Sequence, residues 1–336
     1  MVNAKKLKKI IIKIFLNHNL SFSHAKICAN VLVDAELKGL HSHGLSRLKM
    51  YCDRISKKLI NPKPKIKIKN ISKSISHINA DNSIGFVAAD IGIKDLIKKA
   101  KKTGIALVGI KNSGHYGLSG YYAEQAVKKN LIVFCFTNAP PAIAPYGAKK
   151  SLFGTNPICF GAPTSNKIPF ILDASLSIRN RGYIRVKARL NQKIPKGIAL
   201  DKNGKPTTNA KKALQGVQLP IEGFKGSGMA WMVDILSGVF TGAAYGGKVG
   251  DPFEDFSKPQ NVGHMFLAFK HNIFVNNFTD RMKENIKSVK KLPKLKGFNK
   301  ILYPGENKKK NYKNNLKKNI NISNQIANDI SILLTK

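Results

Sequence analysis

Apolar positions recur along most of this chain at the spacing of helices and strands. Leu7, Ile10, Ile11, Ile14 and Phe15 fall on one face of a 3.6-residue period. Ile27, Cys28, Val31, Leu32 and Ala35 do the same, predicting a second helix from His24 to Lys38 with Ser23 as N-cap and Gly39 as its stop. A longer helical pattern covers Gly85 to Lys102, and the run YYAEQAV predicts another helix. Short apolar runs predict strands at Ser74–Ile78, Gly104–Ile110, Leu131–Phe136, Phe170–Asp173 and His264–Lys270. Asn61 to Lys69 alternates Pro, Lys and Ile, which suits an extended connector. Met229, Met232, Val233, Leu236 and Phe240 predict a helix that starts in glycines. Thr279–Lys287 and Ile322–Leu334 predict two more, and ENKKKNYKNNLKKN between them reads as solvated chain. Strands interspersed with helices define an α/β class.

The loops between these elements carry the chemistry. LHSHGLSRLKMY, residues 40–51, crowds Ser42, His43, Arg47 and Tyr51 around one glycine. Arg47 and Tyr51 are four apart, so a helix would place them on one face. A guanidinium fork and a phenol there suit a carboxylate, although a solvated Arg and a packed Tyr fit the same spacing. His115 lies in GHYG between a strand and a helix, where an imidazole exchanges protons near neutrality. A lone histidine in that place also serves as a loop or cap residue. TNAPPAIAPYG, from Thr137, and GTNPICFGAP, from Gly154, are turn-rich loops that let backbone amides approach a ligand. Gly223, Lys225, Gly226 and Gly228 open a helix as an anion seat would, or as close helix packing would.

Charge and cysteines narrow the picture. The chain has 58 Lys and Arg against 18 Asp and Glu, a net charge of +40. Arginine, the usual phosphate reader, contributes only seven of these, and the lysines are spread along the chain. That distribution favours compositional drift over a selected nucleic-acid surface, so no specific nucleic-acid partner is expected. No apolar run is long enough to span a membrane, and the basic start lacks a signal-peptide cleavage site. Cys28, Cys52, Cys135 and Cys159 form no C-x-x-C pair, which favours reduced thiols in a cytoplasmic protein without structural metal. No G-x-G-x-x-G follows a strand, so a Rossmann unit is unsupported.

Taken together, SHGLSRLKMY, GHYG, TNAPPAIAPYG, GTNPICFGAP, LDAS, ALDKNGKPTT, FKGSGMA and LYPGEN resemble the malate/L-lactate dehydrogenase family that lacks the Rossmann fold. Each motif alone is weak, and their order along nearly the whole chain is specific. DRISK, ALDKNGKPTT and GFNKILYPGEN look especially similar to ureidoglycolate dehydrogenase, and TNAPPAIAP to the broader malate/lactate type. The resemblance implies a non-Rossmann mixed-sheet cofactor domain at 111–290, with 1–110 as a helical, substrate-contacting region. Residues 291–336 would pack back on that region. It implies a homodimer that moves hydride between NAD or NADP and a small 2-hydroxy or 2-oxo acid. Cyclic imino-acid reduction is the activity of some relatives, and a decayed polyanion-binding protein is the alternative outside the enzyme class. Proton transfer would fall to His115 or His43, with Ser42, Arg47 and Tyr51 at the substrate. Ala139, Asp173, Ala174, Ser175, Lys225, Gly226, Pro304, Gly305 and Glu306 match cofactor-contact positions. Ala174 replaces a frequent Met, and Ala139 stands where some relatives have Ser.

Overall fold

The computed structural model describes residues 2–166 and 168–335. Three helices build the N-terminal part, α1 (Ala4–Asn17), α2 (Phe22–Leu37) and α3 (Leu48–Ser56), with two short 3₁₀ turns spanning His41–Arg47. The α1 face is buried as its spacing requires, through Leu7, Ile11, Ile14 and Phe15. The second helix starts two residues earlier than the sequence suggests. Ser21 caps it by accepting from the His24 amide at 3.3 Å, and Phe22 is its first residue. Gly39, at φ +76°, turns the chain out of the helix.

A seven-stranded mixed sheet follows. Its strands are β1 (Lys67–Asn70), β2 (Ile75–Asn79), β3 (Ile105–Ser113), β4 (Leu131–Thr137), β5 (Ile158–Ala162), β6 (Phe170–Ala174) and, after a two-stranded ribbon of β7 (Ala199–Leu200) and β8 (Val217–Gln218), β9 (Val262–Lys270). The order is β1-β2-β3-β9-β4-β5-β6, and only β2 and β3 pair in parallel. Helices α4 (Gly85–Thr103) and α5 (Ser119–Val127) cover one face. The remaining helices are α6 (Arg181–Arg189), α7 (Ala210–Gln215), α8 (Phe224–Asp234) with a π-helical extension to Val239, α9 (Phe278–Lys291), α10 (Glu306–Leu316) and α11 (Asn324–Thr335). Among the described residues no helix is long and apolar enough to cross a membrane, and all four cysteines are buried.

Two features differ from the sequence-based expectation. GTNPICFGAP is not loop throughout, because Ile158–Ala162 pairs with both β4 and β6. The lysine-rich run 306–319 is helical as far as Leu316; Asn311 and Asn315 donate to the Lys38 and Leu37 carbonyls at the end of α2. Val2 and Ile320 share two backbone hydrogen bonds, and Ile330 and Leu333 pack with α1 and α2.

The topology sets where a site can form. Strand β9 lies between β3 and β4 and runs against both. Strands β3, β4 and β6 therefore all point the same way, and their carboxyl ends open on one edge of the sheet. Ser113, Thr137 and Ala174 mark those ends. The loops that follow them carry GHYG, TNAPP and DAS.

Candidate functional site

The centre of this edge is a pair of histidines. His43 and His115 stack with ring centroids 5.8 Å apart. His115 is brought there by the end of β3. Its backbone N–H donates to Gln260 Oε1 at 3.2 Å, and Gln260 Nε2 donates to the Gly250 carbonyl. Its Nδ1 faces inward, 2.6 Å from the Tyr51 hydroxyl and 3.3 Å from the Gly117 amide. Nε2 is thus the nitrogen left for a ligand. A phenol both donates and accepts, so Tyr51 can serve a neutral ring or an imidazolium. Burial, then Arg47, His43 and His264, hold the His115 pKa well below 6.5, so the resting ring is neutral.

His43 arrives from the opposite side, on the 3₁₀ turn after α2. Buried Glu36 shapes that turn: one carboxylate oxygen accepts from the Leu45 amide at 2.7 Å, and the other meets His41 Nδ1 at 2.5 Å. Gly44 lacks the Cβ that would collide with Glu36 Oε1. The Ser42 hydroxyl lies 3.0 Å from His43 Nδ1, and burial, Arg47 and Lys308 push the His43 pKa down to about 3.

Arg47 donates through Nε to the Ser42 carbonyl at 2.9 Å and lies over Phe253, 5.1 Å from the ring centre. Its terminal nitrogens meet no acceptor among the described residues. Phe253 is fixed because fully buried Arg54 donates to the carbonyls of Asp255 and Lys258, at 2.7 and 2.9 Å. Tyr51, also buried, packs tilted against Phe86 and directs its hydroxyl to His115. The structure thus places Ser42, His43, Arg47, Tyr51 and His115 together beyond the end of β3.

The residues matched to cofactor contacts fall in two groups along the same edge. Asp173 and Gly305 line a shallow cleft with Gly120, Tyr121, Lys308 and Lys309. Asp173 Oδ2 accepts from the Gly120 amide at 2.9 Å and lies 3.9 Å from Lys308 Nζ. Pro304 accepts from the Ile171 amide at 3.0 Å. Gly305 takes φ +102°, where a Cβ would sit 2.7 Å from the Pro169 carbonyl. Glu306 accepts from Tyr303 at 3.0 Å and pairs with Lys290, so its carboxylate is engaged. In the second group, Ala139 donates to Asn156 Oδ1 at 3.1 Å, and Asn156 Nδ2 donates to the Ala230 carbonyl in α8. Lys225 is exposed, and Gly226 abuts the Ile221 carbonyl 1.7 Å from where its Cβ would stand. The Leu176 amide donates to the Thr155 carbonyl at 2.8 Å and joins the groups; Ser175 turns its hydroxyl toward Ser177, and Ala174 ends β6. These residues fit a dinucleotide. Ammonium groups at Lys308, Lys309 and Lys225 suit phosphates, Gly120 and Gly305 permit close approach, and one Asp173 oxygen remains for a hydroxyl.

Several contributors carry no sequence signal of their own. Arg54, Gln260 and Lys308 sit far along the chain from the residues they support, and Glu36 reads in the sequence as an ordinary helix carboxylate. His264 is fully buried on β9. Its Nδ1 meets Thr137 Oγ1 at 2.7 Å and its Nε2 meets Ser113 Oγ at 2.9 Å, bridging the ends of β4 and β3. Its ring lies 4.4 Å from that of Tyr116 at an interplanar angle of 2°.

A mixed sheet, closed at one edge by paired histidines and a guanidinium whose terminal nitrogens meet no acceptor among the described residues, defines a non-Rossmann α/β class. Comparison with known proteins is specific: the chain belongs to the malate/L-lactate dehydrogenase family, which it matches over residues 2–331. It is 38% identical to a malate/(S)-sulfolactate dehydrogenase of Methanothermus fervidus, over 93% of this chain and 90% of that protein. It is 32% identical to the ureidoglycolate dehydrogenase (NAD(+)) of Escherichia coli K12, over 91% and 88%. The sulfolactate dehydrogenase structure from Methanocaldococcus jannaschii superposes with a TM-score of 0.93 at 35% identity, covering 99% of this chain and 96% of that one. The mixed-sheet α/β class and the dehydrogenase assignment expected from the motifs both hold.

Proposed function

We propose that this chain interconverts a small 2-hydroxy acid and its 2-oxo acid, with His115 as the proton-transfer residue and Arg47 as the carboxylate clamp. The observation that carries this is the convergence of a neutral imidazole, oriented through Nδ1, and a guanidinium with free terminal nitrogens. The nicotinamide of NAD or NADP supplies the hydride acceptor. Its relatives include proteins named for either coenzyme, so the choice between the two is left to the assay. Malate, lactate, sulfolactate and ureidoglycolate are the candidate substrates.

Each residue has a separable task. Arg47 fixes the carboxylate by paired, charge-assisted hydrogen bonds and so sets the hydroxyl-bearing carbon. His115 takes the hydroxyl proton at Nε2 as the C–H bond breaks, and returns it in the reverse direction. Tyr51 holds Nδ1, so the ring cannot rotate away. An anion on Arg47 cancels the charge that depresses the His115 pKa, so substrate binding itself strengthens the base. His43 packs against the ring and excludes water on that side. Ala139, Asp173, Ala174, Ser175, Lys225, Gly226, Pro304, Gly305 and Glu306 hold the coenzyme.

Two further readings accompany this one. Phe224, Trp231 and Phe240, at 72%, 59% and 66% exposure, lie along α8 and its extension with Ile235 and Val239, an apolar strip suited to a second copy of the chain. The buried, free thiols of Cys28, Cys135 and Cys159 support a reducing, cytoplasmic setting. The test of the activity is coenzyme oxidation across a panel of 2-oxo acids and cyclic imines. Turnover of a 2-oxo acid supports the reading. Turnover of imines alone refutes it, and salt-sensitive DNA binding without any turnover points outside the enzyme class.

A further inference from the structure

We infer that Arg185 is a second anion seat of the same cleft, selecting acids that carry a negative group at each end. This rests on the clamp role proposed for Arg47. Helix α6 lies against the histidine loop, since a Cβ on Gly182 would stand 3.7 Å from Ser42 Cβ. Arg185, three residues further on, reaches over Phe253, 5.3 Å from the ring centre. Arg47 is 5.1 Å from that same centre. Two guanidiniums therefore share one aromatic ring, and their central carbons are at most about 10 Å apart.

Neither has an ion-pair partner among the described residues. Asp251 lies near Arg47, but its Oδ1 accepts from the Phe253 and Glu254 amides at 2.7 and 3.0 Å. Lys308 adds a third positive charge on the His43 side. Like charges gathered without a carboxylate between them are unfavourable until an anion arrives. A guanidinium and a carboxylate joined by two hydrogen bonds put their carbons roughly 4 Å apart. A four-carbon diacid adds about 4 Å between its end carbons. The span that such an acid bridges, up to roughly 12 Å, covers the separation of Arg47 and Arg185. An acid with one negative group leaves Arg185 unpartnered.

The experiment compares oxaloacetate and sulfopyruvate with pyruvate and 2-oxobutyrate, in the wild type and in Arg185→Gln, with saturating coenzyme. Arg185 is exposed, so the substitution should not disturb folding. The expected result is a wild-type kcat/KM at least about tenfold higher for the doubly charged acids, with Arg185→Gln reducing that selectivity ratio by about 10–100-fold through KM. Equal wild-type efficiency on both pairs, or a ratio that Arg185→Gln leaves intact, overturns the inference. Should no 2-oxo acid turn over, the proposed function fails. The seat is then judged by malonate titration with calorimetric detection, where Arg185→Gln weakens binding at least about fivefold if the seat exists and leaves it unaltered if not.

Discussion

Tyr51→Phe isolates the step on which the proton chemistry depends. The hydroxyl is buried and 2.6 Å from His115 Nδ1, while the phenyl ring packs on Phe86 with centroids 4.7 Å apart. Phenylalanine keeps that packing and deletes one oxygen. The neutral imidazole that is a base at Nε2 carries its hydrogen on Nδ1, where Gly117 offers no acceptor, so it loses a neutral hydrogen bond of about 1 kcal/mol. The imidazolium loses more. It has a hydrogen on Nδ1, and Gly117 offers only another donor, so a charge-assisted bond of about 1.5–3 kcal/mol goes unmade. Transition states that place positive charge on the ring should suffer that difference, lowering kcat by about 10–100-fold. KM should stay within about twofold because Arg47 is untouched. The sign of the pH effect follows. Destabilising the imidazolium lowers the His115 pKa further, so the acidic limb of kcat/KM for hydroxy-acid oxidation moves to lower pH. Steady-state coenzyme reduction across pH, with a melting curve to confirm folding, reads both quantities. A variant with wild-type kcat and an unmoved acidic limb refutes the orientation argument.

Other perturbations test separate parts. His115→Ala should reduce kcat by roughly 10²–10⁴ while the thermal transition persists, and near-normal turnover would transfer the proton role to His43. Arg47→Lys should raise KM at least about tenfold with kcat less affected, because an ammonium cannot form the paired bonds; an unchanged KM would remove Arg47 from the carboxylate. His264 has its folded pKa lowered to about 3 by burial, so its contribution to stability is full above pH ~6.5 and lost as pH falls toward 3. Denaturant melts should show less stability at pH 5 than at pH 7.5, with His264→Gln less stable at pH 7.5 but shallower in its pH dependence; an equal slope would contradict a buried neutral ring. Gly226→Ala drives a methyl into the Ile221 carbonyl and should cost more than about 2 kcal/mol, seen as a melting temperature lowered by several degrees.

The sequence carried the outline of this fold in its periodicities. Helices α1 and α4 and strands β4 and β9 announce themselves through apolar residues at regular spacing. Strand β5 did not, because Ile158 to Ala162 is short and sits among Asn, Pro and Gly; what makes it a strand is pairing on both sides. Helix α10 was hidden for a different reason. Its composition is that of solvated chain, and the contacts that hold it are asparagines on the end of α2, nearly the whole chain away. The site divides similarly. His43, Arg47 and His115 stand in recognisable motifs. Tyr51 was legible as a partner for Arg47, yet its hydroxyl meets His115, a pairing across 64 positions that no local spacing encodes. Gln260 and His264 depend on β9 entering between β3 and β4, a consequence of topology alone.

The central claim is that His115 and Arg47 act on one bound acid. Its most direct test is a crystal structure with reduced coenzyme and the 2-oxo-acid analogue oxamate. The account predicts His115 Nε2 within about 3.2 Å of the analogue's carbonyl oxygen and the Arg47 terminal nitrogens on its carboxylate, with His43 further away. An analogue held by other residues, or one whose carbonyl meets His43 with His115 turned away, would contradict it.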